Sequence, residues 1–125
     1  MDTVESTRAP EPVGPYPHAR RAGQFLFVSG TGPRKRGSSE IPQGFEAQCR
    51  ATLDNIGAIL AEGGATWDDV VDVTVFLTNM DADFTTMNRI YAEYFTGQRP
   101  ARTTVEVTKL PTPISIEIKA IACLP

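Results

Sequence analysis

Histidine and cysteine, the residues on which metal binding and nucleophilic catalysis most often rest, are nearly absent from this chain. It has one histidine, His18, and two cysteines, Cys49 and Cys123, far apart in 125 residues. That set cannot fill a zinc finger, a zinc ribbon or a two-histidine zinc site, so neither a metal nor a cofactor is expected. A Ser-His-Asp triad would have to run through His18, which lies in a proline-rich stretch with no local partner and reads as a surface residue. Positive charge is also short. Lys and Arg number 12 against 15 Asp and Glu, a formal charge of −3. Nucleic-acid partners reward the opposite balance. No apolar run approaches the roughly 18 residues of a membrane span. Residues 1–12 are polar and lack the apolar stretch of a secretory signal, and two distant cysteines make no disulfide framework. The expectation is one cytoplasmic domain, with no membrane or nucleic-acid partner.

Residues 1–12 show no periodicity and read as a flexible arm, leaving 13–125 as the domain. Residues 17–22 and 24–29 flank Gly23 and suit a β-hairpin, the second strand central because it is apolar on both faces. Residues 30–44, rich in Gly, Pro, Ser and charge, form a loop. Phe45, Cys49, Leu53, Ile56 and Leu60 recur at helical spacing, and Gly63-Gly64 stops that helix. Residues 70–78 alternate, with Val71, Val73, Val75 and Leu77 on one face. Asp81 or Asp83 would cap a second helix carrying Phe84, Met87, Tyr91 and Tyr94 or Phe95 inward and ending at Gly97. Strands follow at 101–109 and 114–123, the latter with Ile114, Ile116, Ile118 and Ala120 in the core. The order β-β-α-β-α-β-β makes an α+β domain with two helices on one face of a mixed sheet. The other face, with Thr104, Glu106, Glu117 and Lys119, is left bare, which favours oligomerisation.

Few side chains stand out as chemistry-bearing. Alternation puts Arg102 on the non-core face with Thr104 and Glu106, where its guanidinium can grip a carboxylate through two parallel bonds. By spacing alone, a salt-bridged surface arginine is the plainer reading. Lys119 either pairs with a neighbouring carboxylate, meets a ligand, or acts as a lowered-pKa amine. Arg34-Lys35-Arg36 is the one basic run, either a solvated loop or an anion-attracting lip. Tyr16, between two prolines, could lie over a pocket or simply pack. Asn88 is an amide among apolar helix residues, and Cys49 is a core thiol.

Longer strings are more specific. VGPYPHA (13–19), FVSGTGP (27–33), QCRATLDNIGAIL (48–60), VVDVTVFLTNMDADFTTMNRIYAEYF (70–95), PARTTVEVTKLP (100–111) and IEIKAIA (116–122) together resemble the Rid/YjgF family of small reactive-imine deaminases. The resemblance covers nearly everything from Val13 onward. It implies a chorismate-mutase-like fold and a homotrimer whose active sites lie in clefts between subunits. It also implies that Arg102 binds the substrate carboxylate and that Tyr16, Ser29, Gly30 and Asn88 complete the pocket. Two positions depart from the family pattern. Thr104 stands where a cysteine is usual, and Lys119 where a water-orienting glutamate is usual. The lysine, with SGTGPRKRGS and EIP, looks like the 2-aminomuconate deaminase branch, in which a cation would meet the second carboxylate of a dianionic substrate. The catalytic set on this reading is Arg102, Lys119 and Thr104. A general 2-iminoacid deaminase and a non-catalytic trimeric binder of small molecules are the alternatives.

Overall fold

The computed structural model describes residues 2–125, so Met1 of the expected arm lies outside it. Strands β1 (Thr3–Val4), β2 (Ala19–Ala22) and β3 (Phe25–Thr31) precede helix α1 (Phe45–Glu62). A single 3₁₀ turn at Trp67–Asp69 leads into β4 (Val70–Leu77), followed by α2 (Met80–Tyr94), β5 (Ala101–Glu106) and β6 (Ile116–Cys123). The six strands form one sheet in the order β1-β2-β3-β6-β4-β5. All neighbours are antiparallel except β4 and β5, which are parallel because α2 carries the chain back across the sheet between them.

Both helices lie on one sheet face. Helix α1 packs over β3 and β6, and α2 packs against α1 and β4. The expected α1 stripe is observed: Cys49, Leu53, Ile56 and Leu60 are buried, and Phe45 packs partly buried against them. Opposite them stand Leu26 and Val28 of β3, Val73, Val75 and Leu77 of β4, and Ile116, Ile118 and Ala120 of β6. The helix stops at its double glycine. Gly64 takes a φ of +82°, and Ala65 N–H returns to Leu60 O at 2.8 Å.

Several expectations are corrected. The register of β4 against β6 shifts between Val70 and Asp72, so Val70 turns inward while Val71 is 43% exposed. The cap of α2 is Asn79, whose Oδ1 accepts from Ala82 N at 3.1 Å. Asp81 and Asp83 instead fall in the first turn, where negative charge suits the helix dipole. Phe84 points out at 37% exposed, and the buried face of α2 is Met87, Ile90 and Tyr91. The bare sheet face is more apolar than its polar residues suggest, because Phe25 (45%) and Phe27 (39%) are exposed on it.

A further correction concerns the arm. Thr3–Val4 adds an edge strand to β2, and Ser6, Ala9 and Pro10 are buried. His18, expected at the surface, is only 6% exposed. Its ring bonds Ser6 N–H at 2.9 Å and Pro10 O at 2.7 Å. Arg36 donates to Ser6 O (3.0 Å) and Ala9 O (2.9 Å), and Arg34 donates to Glu11 O. The basic run is therefore neither a free loop nor an open lip. Its two arginines supply the charge-assisted bonds that hold the arm, which lacks the apolar content to dock by burial alone.

Candidate functional site

A pocket opens where β3 ends and β6 begins. The β3–β6 ladder pairs Val28 with Ala120 and resumes at Thr31 with Ile118, so Ser29 and Gly30 bulge between them. Ser29 is fixed by its N–H to His18 O (2.9 Å) and its hydroxyl to Pro17 O (2.8 Å). Helix α1 steadies the loop beyond, with Asn55 donating to Gly32 O (2.9 Å) and Arg34 O (3.1 Å). One wall is the arm at Pro10–Val13, another Tyr16, and a third the turn at Pro111, Thr112 and Ile114.

Glu117 also lines this pocket. Its carboxylate leans over the Gly30 backbone: a Cβ on Gly30 would stand 2.6 Å from Glu117 Oε2. The side chain is half-buried and has neither an ion pair nor a hydrogen-bond partner among the described residues. Burial raises its pKa above the ordinary 4.5. A carboxyl group lifted by desolvation beside a pocket has the features of an acid–base group. Sequence reading placed Glu117 on the bare face but not at this pocket, since spacing does not show which β6 residue meets the β3 bulge. For Gly30→Ala the new methyl meets the far end of a flexible side chain, so the fold should survive with less than about 1 kcal/mol lost. The carboxylate should leave the pocket, and activity should drop about tenfold in steady-state assays.

A second group of side chains lies at the opposite sheet edge. β5 pairs Arg102 with Val73, Thr104 with Val75 and Glu106 with Leu77, all core residues of β4. The alternation is as expected, but the face is reversed. Arg102 points to the helix side, because β5 is an edge strand and its inner face reaches past the core. Its guanidinium carbon sits 4.8 Å from the Tyr91 ring centroid and 5.9 Å from that of Phe84. Its one side-chain bond is a weak contact to Met87 Sδ at 3.8 Å, and it makes no ion pair among the described residues. Asn88 stands half-buried on α2, between Phe84 and Tyr91 at helical spacing. The Thr104 and Tyr91 hydroxyls are buried without partners. Burial pushes Tyr91 up to about 12, against the opposing pull of Arg102. A guanidinium held over aromatic rings, with no carboxylate partner among the described residues, is suited to bind a planar carboxylate.

One chain therefore gathers Tyr16, Ser29 and Gly30 with Glu117, and separately Arg102, Thr104 and Asn88. The two groups lie on opposite faces, with β4 between β6 and β5. Lys119 joins neither: it is exposed on the open face, and its Nζ reaches Val28 O at 3.4 Å. Cys49 is chemically quiet, its thiol pushed up to about 12 by burial.

Comparison with known proteins shows what the sequence and the fold are similar to. The family model described as Endoribonuclease L-PSP matches residues 6–124. A RutC family protein of Pyrococcus horikoshii is 46% identical over 97% of this chain and 96% of its own. A protein of Escherichia coli K12 provisionally named reactive intermediate deaminase TdcF is 36% identical over 95% of this chain and 94% of its own. The crystal structure of E. coli TdcF with bound serine superposes with a TM-score of 0.94 at 34% identity, covering all of both chains. The E. coli YjgF structure gives a TM-score of 0.92 at 37% identity over 98% of each chain. These matches span the whole domain, including the arm from Ser6 onward, and the chain belongs to the Rid/YjgF family.

Proposed function

We propose that this protein hydrolyses reactive imines or enamines that carry a carboxylate, releasing ammonia and a 2-keto acid, at sites shared between the subunits of a homotrimer. The observation that carries the reading is Arg102, a guanidinium stacked on Tyr91 and left without an anion. Its likeness to TdcF, named as a deaminase and crystallised with serine, supports the same reading. The separation of the two half-sites supports the trimer: Arg102, Asn88 and Thr104 of one subunit would face Tyr16, Ser29, Gly30 and Glu117 of the next.

In such a cleft Arg102 fixes the carboxylate and with it the C=N carbon. An enamine first takes a proton on carbon to become the imine. Water then adds to the C=N carbon, a proton moves to nitrogen, ammonia leaves and the keto acid remains. Glu117 is placed to orient that water and, with its raised pKa, to pass the proton. Imines hydrolyse unaided, so modest acceleration by positioning suffices.

The 2-aminomuconate reading draws on the lysine of the last strand together with the SGTGPRKRGS and EIP strings. Glu117 supplies a pocket carboxylate and Lys119 lies outside that pocket, which favours the general 2-iminoacid substrate. Arg34 on the pocket lining is the feature that keeps a dicarboxylate as the second reading. Ribonuclease chemistry, which the family model's description names, finds little support. The chain carries −3, and its one histidine is committed to backbone bonds. The deciding assay compares an imine made in situ by an amino-acid oxidase with freshly generated 2-aminomuconate. Faster keto-acid release from the simple imine is expected. Turnover of 2-aminomuconate alone would move the assignment to the dicarboxylate branch. Turnover of neither, with keto acid still bound, would make the protein a binder.

A further inference from the structure

The pocket's outer wall is a stretch of chain with little apolar surface to hold it, yet it is clasped at defined atoms. Ser6 N–H can only donate, so His18 Nδ1, 2.9 Å away, must be unprotonated. Pro10 O can only accept, so Nε2, 2.7 Å away, carries the hydrogen. The partners thus specify the neutral Nε2–H tautomer. Arg36 holds the other end of the same segment through Ser6 O and Ala9 O. The residues that follow, Pro10–Val13, form the pocket wall facing Tyr16, Ser29 and Glu117.

We propose that His18 is a positioning residue for this site: its neutral ring fastens the 5–12 segment as the wall of the substrate pocket. Glu5 Oε2, on an exposed side chain of the same segment, lies 3.5 Å from Nδ1. The other charged groups around the ring are Arg36 on the shared Ser6 segment, Arg34 with its partner Glu11 at 3.8 Å, and Glu117 across the pocket. The fastening stands on geometry, and its effect on substrate rests on the deaminase reading.

The test compares wild type with His18→Gln and His18→Ala, on KM and kcat for a simple imine carboxylate and on exchange protection of the Ser6 amide by NMR. Glutamine offers one acceptor and one donor in place of the two ring nitrogens. His18→Ala should raise KM roughly fivefold with kcat little changed, as expected for one lost hydrogen bond, and leave Ser6 unprotected. His18→Gln should keep KM within about twofold of wild type and retain Ser6 protection. Equal Ser6 protection in wild type and His18→Ala would overturn the fastening. An unprotected Ser6 in His18→Ala with an unchanged KM would overturn the role of the wall in substrate binding. Loss of Ser6 protection in His18→Ala, with no imine turned over by wild type, would sustain the fastening while the deaminase reading fails.

Discussion

Arg102→Ala should lower kcat/KM for a 2-iminoacid about 100-fold or more, close to 3 kcal/mol, while lowering the melting temperature by no more than about 5 °C. The two halves of this expectation have different causes. The guanidinium makes no ion pair among the described residues, so the folding energy lost with it is limited to its contacts with the Tyr91 and Phe84 rings. What it contributes is a pair of parallel, charge-assisted bonds that hold the substrate's carboxylate in one orientation, and no other group of the β5 edge offers them. Arg102→Lys keeps the charge but not the fork, and should recover less than a tenth of wild-type activity. The stacking on Tyr91 and Phe84 also explains why lysine is a poor substitute, since a planar cation is what those faces accommodate. Activity of Arg102→Ala within threefold of wild type would refute the carboxylate clamp.

Glu117→Gln should remove about 100-fold of activity and at the same time leave the protein as stable or more stable at neutral pH. The sign follows from the carboxyl's environment. Its folded pKa lies above the ordinary 4.5 because burial disfavours the charged form. Between those two values the folded state binds more protons than the unfolded one. Stability therefore falls as pH rises from the ordinary value through the folded value, and the whole penalty is present at pH 7. Glutamine fills the same space without a charge and abolishes that penalty. Thermal melts should show the variant's advantage at pH 7 shrinking toward zero as pH falls below 4.5. A destabilised Glu117→Gln with normal turnover would mark the carboxylate as structural. Retaining an unpartnered half-buried carboxylate at a cost in stability is what a functional group does.

The residues of the pocket are brought together only by the fold. Tyr16, Ser29 and Gly30 line it together, because VGPYPHA enters the hairpin and FVSGTGP leaves it at the same end. The carboxylate beside them is Glu117, and Lys119 is not on the lining. IEIKAIA alternates in either case, and both residues share the open face. The β3 bulge at Ser29–Gly30 selects the earlier one. The basic run at 34–36 illustrates the same limit: its charges look solvent-bound in the sequence, and their partners are carbonyls at Ser6, Ala9 and Glu11, more than twenty residues away.

Local periodicity settled what each segment is. The 3.6-residue stripe of 45–62, the double glycine behind it and the alternation of 116–123 are properties of consecutive residues, so sequence alone determined two helices, the main strands and a sheet covered on one side. Tertiary structure decided which side a polar alternating strand presents. Alternation fixes the relative orientation of Arg102 and Val105, but the covered face of an edge strand depends on where α2 crosses it. Pairing decided the rest. Whether residues 2–12 lie loose or form a wall turns on long-range bonds from His18 and Arg36, which contribute free energy only once the chain between them has folded.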